Sequence, residues 1–183
     1  AQARLFRLRR ALATRGLMEA VTFSFLSGDD AARFGGGADN LKLVNPISSD
    51  LSVMRPSILP NLLSAVARNQ DRGEADAAMF EVGPVFLGDA PEDQRTAATG
   101  IRHGSSAPRE WHGSSRAIDV FDARADAEAA LAALGVKLAG VQVKAEGPDW
   151  LHPGRRGQLI QGRTLLASFG EIHPALAKAY GLK

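Results

Sequence analysis

Leu5, Leu8 and Leu12 recur at helical spacing over residues 3–15, and Gly16 follows where a left-handed cap would close a helix. The period then changes. Val21, Phe23 and Phe25 alternate with Ala20, Thr22 and Ser24, which predicts a half-buried strand. Ser27 with Asp29 and Asp30 opens a short helix that Gly35-Gly36-Gly37 ends. Leu41 to Val44 reads as a brief strand, and Asn45-Pro46 turns out of it. Ser57 is placed to cap a helix that tolerates Pro60 in its first turn. Ile58, Leu59, Leu62, Leu63 and Val66 give that helix a broad apolar stripe, with Arg68 and Arg72 near its end and Gly73 as its stop.

Residues 78–87 predict a strand. Pro84 has no N–H to donate, so an edge or a bulge is expected there. Residues 95–103 predict another strand, and 104–116 a polar loop carrying Trp111. Asp119 to Phe121 lead into a helix with Asp122 as its expected cap, Leu131 and Leu134 on its buried side, and Gly135 at its close. Residues 136–145 alternate like a strand. A hairpin over 157–161 and 164–169 turns near Gln161-Gly162-Arg163, and Pro174 begins a last short helix. This order suits an α+β fold, an antiparallel sheet flanked by helices.

Composition narrows the class. With 183 residues, 45% hydrophobic and 23% charged, the chain has ordinary globular composition and enough length for a core. Its apolar runs fall short of the roughly 20 residues that span a bilayer, so no membrane partner is expected. The absence of cysteine excludes disulfides, thiolate metal sites and a Cys nucleophile, and fits a cytoplasmic location. A net charge of +2 is too small to argue for nucleic acid by itself. Ala1 in place of an initiator Met, and helices close to both ends, lead us to expect one domain over 1–183, excised from something longer.

Candidate chemistry is sparse. His103, His112, His152 and His173 lack the spacing of a metal site and read as surface or capping residues. His152-Pro153-Gly154-Arg155-Arg156-Gly157 has the glycines and arginines of a phosphate loop. It lacks the Gly-Lys-Ser/Thr ending and runs into a strand, so a structural turn is the better reading. No nucleophile elbow is present. Arg55 stands out: it could hold an anionic ligand or pair across a subunit interface, or equally pair with Asp50 or cap carbonyls.

The run Asn45 to Leu63, with Met54-Arg55-Pro56 inside it, is followed by Phe80-Glu81-Val82-Gly83-Pro84-Val85-Phe86. These stretches resemble the beta subunit of bacterial phenylalanyl-tRNA synthetase. So do Gly16 to Phe25, Leu151 to Arg155 and Gly170 to Pro174, and the likeness spans residues 3–182. The resemblance implies a class II aminoacyl-tRNA synthetase-like sheet. The first helix and strand are similar to class II motif 1, with Phe23 where an interface proline is usual. The strand at 80–89 is similar to motif 2, which normally ends Phe-Arg-x-Glu; this chain reads Phe86-Leu87-Gly88-Asp89. Leu87 can neither carry charge nor grip a phosphate. A Gly-rich, Arg-containing motif 3 is not visible before Lys183. Two local departures are Asp122-Ala123-Arg124 in place of a Lys-Gly pair and Arg156-Gly157 in place of a Ser-Ala pair.

The resemblance therefore implies a catalytically silent module that packs against a catalytic alpha subunit in an alpha2-beta2 assembly. It implies no catalytic, cofactor or metal residues in this chain, with ATP, magnesium and tRNA used by the holoenzyme. The residues expected at the subunit interface are Leu5, Leu8, Phe23, Arg55, Leu62 and Leu63. Two alternatives stand beside this reading. One is a stand-alone class II-like adenylating enzyme that uses Arg55 and Arg95 in place of the missing arginine. The other is a tRNA-contacting module using Arg4, Arg7 and Arg10, or Arg155 and Arg156.

Overall fold

The computed structural model describes residues 2–107, 111 and 113–182. Helix α1 (Gln2–Thr14) buries Leu8 and Leu12 against Leu17, Phe80 and Val82, and Gly16 at φ 82° reverses the chain behind it. Strand β1 (Met18–Glu19) leads through residues 20–24 to β2 (Phe25–Leu26) and the short helix α2 (Gly28–Arg33). The Ser27 hydroxyl caps α2 by accepting the Asp30 N–H at 3.1 Å. Strand β3 (Val53–Met54) pairs antiparallel with β2. Helix α3 (Leu59–Gln70) follows, with Pro60 in its first turn and Leu62, Leu63 and Val66 buried.

The long strands come next. Strand β4 (Ala77–Phe86) pairs antiparallel with β5 (Gln94–His103) over its whole length, while β1 runs parallel to β4 only at Met79 and Phe80. Beyond that short pairing, other groups satisfy the open edge of β4. The Phe80 carbonyl accepts from the Ala20 N–H, the Val82 carbonyl from Arg9 and the Pro84 carbonyl from Arg55, and the Phe86 N–H donates to the Arg55 carbonyl. The missing N–H of Pro84 falls on this edge in unbroken register with Thr96, so the strand needs no bulge.

Helix α4 (Val120–Ala133) then packs Leu131 against Leu159 and Phe169 of a second antiparallel sheet, ordered β6 (Gln142–Lys144), β7 (Leu151–Gln161) and β8 (Thr164–Ile172). The final helix α5 (Pro174–Ala179) ends beside Tyr180. The Tyr180 ring meets buried Phe34 edge-on and the Trp150 ring meets it tilted, with centroids at 6.3 and 5.7 Å, and so they tie the chain's end to α2.

Several expectations change. Residues 20–24 form no sheet ladder, because β4 offers that segment one backbone carbonyl and the rest of its edge goes to arginines. Residues 41–44 provide a 3-10 turn ending at Leu41 and one bridge, Lys42 to Val53. Residues 136–145 shrink to a 3-10 turn and the three-residue β6, with Val143 left half exposed. The cap of α4 is Asp119, not Asp122. Asp119 accepts from the Phe121 and Asp122 N–H groups, and Asp122 reaches back to the Asp119 N–H to complete a capping box.

Candidate functional site

Arg55 leaves β3 pointing inward and is 1% exposed. Its Nη2 lies 2.8 Å from Glu81 Oε1, and its Nε donates to the Pro84 carbonyl at 2.8 Å. Its Nη1 donates to the Thr22 hydroxyl at 2.9 Å and to the Phe23 carbonyl at 3.4 Å. The Thr22 hydroxyl in turn donates to Glu81 Oε2 at 2.6 Å. Three segments distant in sequence thus meet at one ion pair sealed from water. Gly83 makes the room: a Cβ there would sit 2.6 Å from Arg55 Nη2. Of the roles open to Arg55 from sequence, pairing is realised, with Glu81 instead of Asp50. Asp50 is exposed and accepts from Ser49.

This pair sets the geometry of residues 20–24. Ala20, Thr22 and Ser24 turn toward the protein, whereas Val21 is 90% and Phe23 68% exposed. Of the apolar positions that predicted a half-buried strand face, Phe25 is partly buried in β2, while Val21 and Phe23 are outward. Met18 is 71% exposed just before them, and Val21, Thr22, Phe23, Leu51, Asn61 and Arg68 line a shallow groove of about 700 Å³ between this segment and α3.

The expected interface residues separate accordingly. Leu8, Leu62, Leu63 and Arg55 are buried within this chain, so their side chains have no surface to offer; apolar stripes that read as docking faces are closed by the chain's own sheet. Leu5 is half-buried against the same cluster as Leu8. Phe23 alone of the six is largely exposed. Sequence reasoning passed over Met18, Val21 and Phe6. Phe6 lies off the Leu5-Leu8-Leu12 stripe and is 66% exposed, and that offset was the available signal.

The motif 2 position is equally plain. Leu87 follows β4, 62% exposed, with its N–H donated to the Asp93 carbonyl. Arg95 is an exposed residue of β5 across from Val85. Arg4, Arg7 and Arg10 are exposed on α1, while Arg9 binds Glu19 at 2.6 Å. Arg155 pairs with Glu171 at 2.9 Å, and Arg156 donates to the Pro148 carbonyl. The His152 stretch lies within β7, where the register with β8 shifts between Leu151 and Arg156. His152 and His173 accept nearby backbone N–H groups through Nδ1, and His103 Nδ1 lies 3.1 Å from the Ala75 carbonyl. His112 falls outside the described residues. Among the described residues, no three His, Asp or Glu side chains gather as a metal ion would require.

Two polar clusters brace this frame. Asp126 on α4 accepts from Arg15 at 2.5 Å and from Arg102 at 2.6 Å, and the hydrogen bond to Asp126, helped by its charge, raises the Arg102 pKa. The Arg116 guanidinium, 2.6 Å from Asp122, holds that carboxyl down at about 2. Desolvation, reinforced by its bond to Asp30 at 2.6 Å, pushes the Tyr180 hydroxyl above the usual tyrosine range.

Comparison with known proteins gives a consistent outcome. The family described as phenylalanyl tRNA synthetase beta chain CLM domain matches residues 1–183. The phenylalanine–tRNA ligase beta subunit of Rhodospirillum rubrum is 55% identical over 95% of the chain, and that of Brucella suis is 51% identical over 97%. The chain spans about a fifth of these relatives, 22% and 23% of their lengths. A solved pyrrolysyl-tRNA synthetase from Desulfitobacterium hafniense overlays with a TM-score of 0.70 at 17% identity, covering 98% of this chain and 61% of the other. At that identity the likeness establishes the fold.

Proposed function

The chain belongs to the phenylalanyl-tRNA synthetase beta chain CLM domain family, and from that premise we propose that it is a structural, non-catalytic module of a phenylalanine–tRNA ligase beta subunit. In this reading, residues 1–183 form one class II-like domain of a longer cytoplasmic subunit. The domain packs against a catalytic alpha subunit in an alpha2-beta2 enzyme that attaches phenylalanine to its tRNA using ATP and magnesium. The observation that carries the docking role is the outward turn of Val21 and Phe23, joined by Met18. Apolar side chains held out of the core, beside one another, are what a partner surface covers.

The residues here do not fit an ATP phosphate site at the motif 2 position. Leu87 has no charge, and of the two substitutes expected from sequence Arg55 is spent on Glu81, leaving Arg95 exposed on β5 across from Val85. The domain's contribution is therefore shape and surface, with activation of phenylalanine assigned to the alpha subunit. Two measurements test the two halves of this reading. ATP–pyrophosphate exchange by the isolated chain should stay at background with phenylalanine present; turnover above background would sink the non-catalytic reading. Co-purification of the complete beta subunit with its alpha subunit should be retained by the native chain and lost with Val21→Glu plus Phe23→Glu.

The exposed arginines 4, 7 and 10 of α1 favour a second reading, contact with tRNA phosphates. It predicts tRNA binding by this chain that falls steeply with salt. Replacing all three by glutamine should flatten that slope, and an unchanged slope removes this reading.

A further inference from the structure

We infer that Thr22, backed by the Arg55–Glu81 pair, is a positioning residue that aims Val21 and Phe23 at the partner subunit. This rests on the docking role proposed above and adds what orders the docking segment.

Residues 20–24 have little of the backbone support that a strand enjoys. The Ala20 N–H donates to the Phe80 carbonyl and the Arg55 N–H to the Ser24 carbonyl, one bond at each end. Between them the segment is held by side chains. The Phe23 carbonyl accepts from Arg55 at 3.4 Å and from Asn61 Nδ2 at 3.2 Å, and the Thr22 hydroxyl joins both members of the buried pair.

A hydroxyl suits this place because it can donate to one partner while accepting from another, here Glu81 and Arg55 respectively. Successive side chains of an extended segment point to opposite sides, so fixing Thr22 inward directs Val21 and Phe23 outward together. A slip of one residue would bury the apolar pair and expose the hydroxyl. The ion pair thereby opposes the burial that the hydrophobic effect would otherwise favour at Val21 and Phe23. A segment ordered before contact also loses less entropy on docking.

The test uses the complete beta subunit and its alpha subunit, with association measured by titration and amide exchange followed at residues 21–24. Thr22→Val keeps the shape and removes both hydroxyl bonds. It should weaken association by about tenfold and speed exchange across the segment, the scale expected for losing a net hydrogen bond or two. Thr22→Ser restores both hydroxyl bonds and should restore affinity, which a role in bulk packing alone would not require. Asn61→Ala offers a second route if Thr22→Val folds poorly: it removes an outer bond to the Phe23 carbonyl and should shift exchange and affinity in the same direction. Native affinity for Thr22→Val and Asn61→Ala alike, with Val21→Asp still blocking association, overturns the positioning role and leaves docking intact. Native affinity for Val21→Asp and Phe23→Asp overturns the docking role itself.

Discussion

A carboxylate and a guanidinium taken out of water stabilise a fold only while each has the other. Arg55 and Glu81 are in that situation, 1% and 5% exposed at their side chains. Removing one partner, as in Arg55→Met or Glu81→Gln, should cost about 3–5 kcal/mol in denaturant unfolding, whereas Arg55→Met with Glu81→Leu should recover much of the loss. Gly83→Ala should also destabilise, by about 1–3 kcal/mol, because its Cβ would press on the guanidinium. Asp122 carries the pH prediction. Its carboxyl is held at about 2 in the folded chain against an ordinary 3.8, so its bonds to Arg116 stabilise the fold above 3.8, and that support is lost as pH falls toward 2. Asp122→Asn should therefore shrink the stability difference between neutral and acidic pH, read from urea midpoints across that window.

At the scale of elements, polar residues decide how the helices seat. The short β1 leaves most of one β4 edge unladdered, and arginines from α1 and from the end of β3 close it. Asp126 joins α4 to Arg15 after α1 and to Arg102 on β5, so one carboxylate locks two helices to one strand. Asp126→Ala should destabilise by about 1.5–3 kcal/mol, the range for hydrogen bonds to charged groups. Amide exchange should locate the loss in α1 and α4. The Asp119 cap has a smaller effect: Asp119→Ala should cost about 1 kcal/mol and fray the first turn of α4.

At the scale of the whole molecule, the class II-like frame is kept and Leu87 stands at the motif 2 arginine position. Leu87 is solvent-exposed just past β4; of the two substitutes expected from sequence, Arg55 is locked inside, while Arg95 stays exposed on β5 across from Val85. What the frame offers outward includes the exposed apolar side chains of Val21 and Phe23, with Met18 exposed on β1. Val21→Glu with Phe23→Glu should leave the thermal midpoint of the isolated chain within a degree or two, since exposed sites contribute little to stability. The same pair should abolish association with the alpha subunit in sedimentation runs. A collapse of the midpoint instead would mean that these side chains support the fold.

The local features of this chain were legible in its sequence. Ser27 marked the start of α2 and caps it, Gly16, Gly73 and Gly135 marked helix ends, and the Leu62-Leu63-Val66 stripe marked an apolar helix face, because caps and periodicity act over a few residues. The expected Ser57 cap falls one residue early, since Ile58 precedes the first turn of α3 without a side-chain cap. The motif order and Leu87 were equally open to reading, and with them the family. What sequence left undecided was direction. Alternation over residues 20–25 says that two faces differ but not which one meets the interior, and here Thr22 won that place over Val21 and Phe23. Glu81 as the partner of Arg55, and the burial of Leu8, Leu62 and Leu63 inside the chain, were likewise decided by strands meeting in space. Only tertiary structure brings an unpaired charge and its partner together, and once it has, the cost of leaving either one alone overrides the hydrophobic pattern.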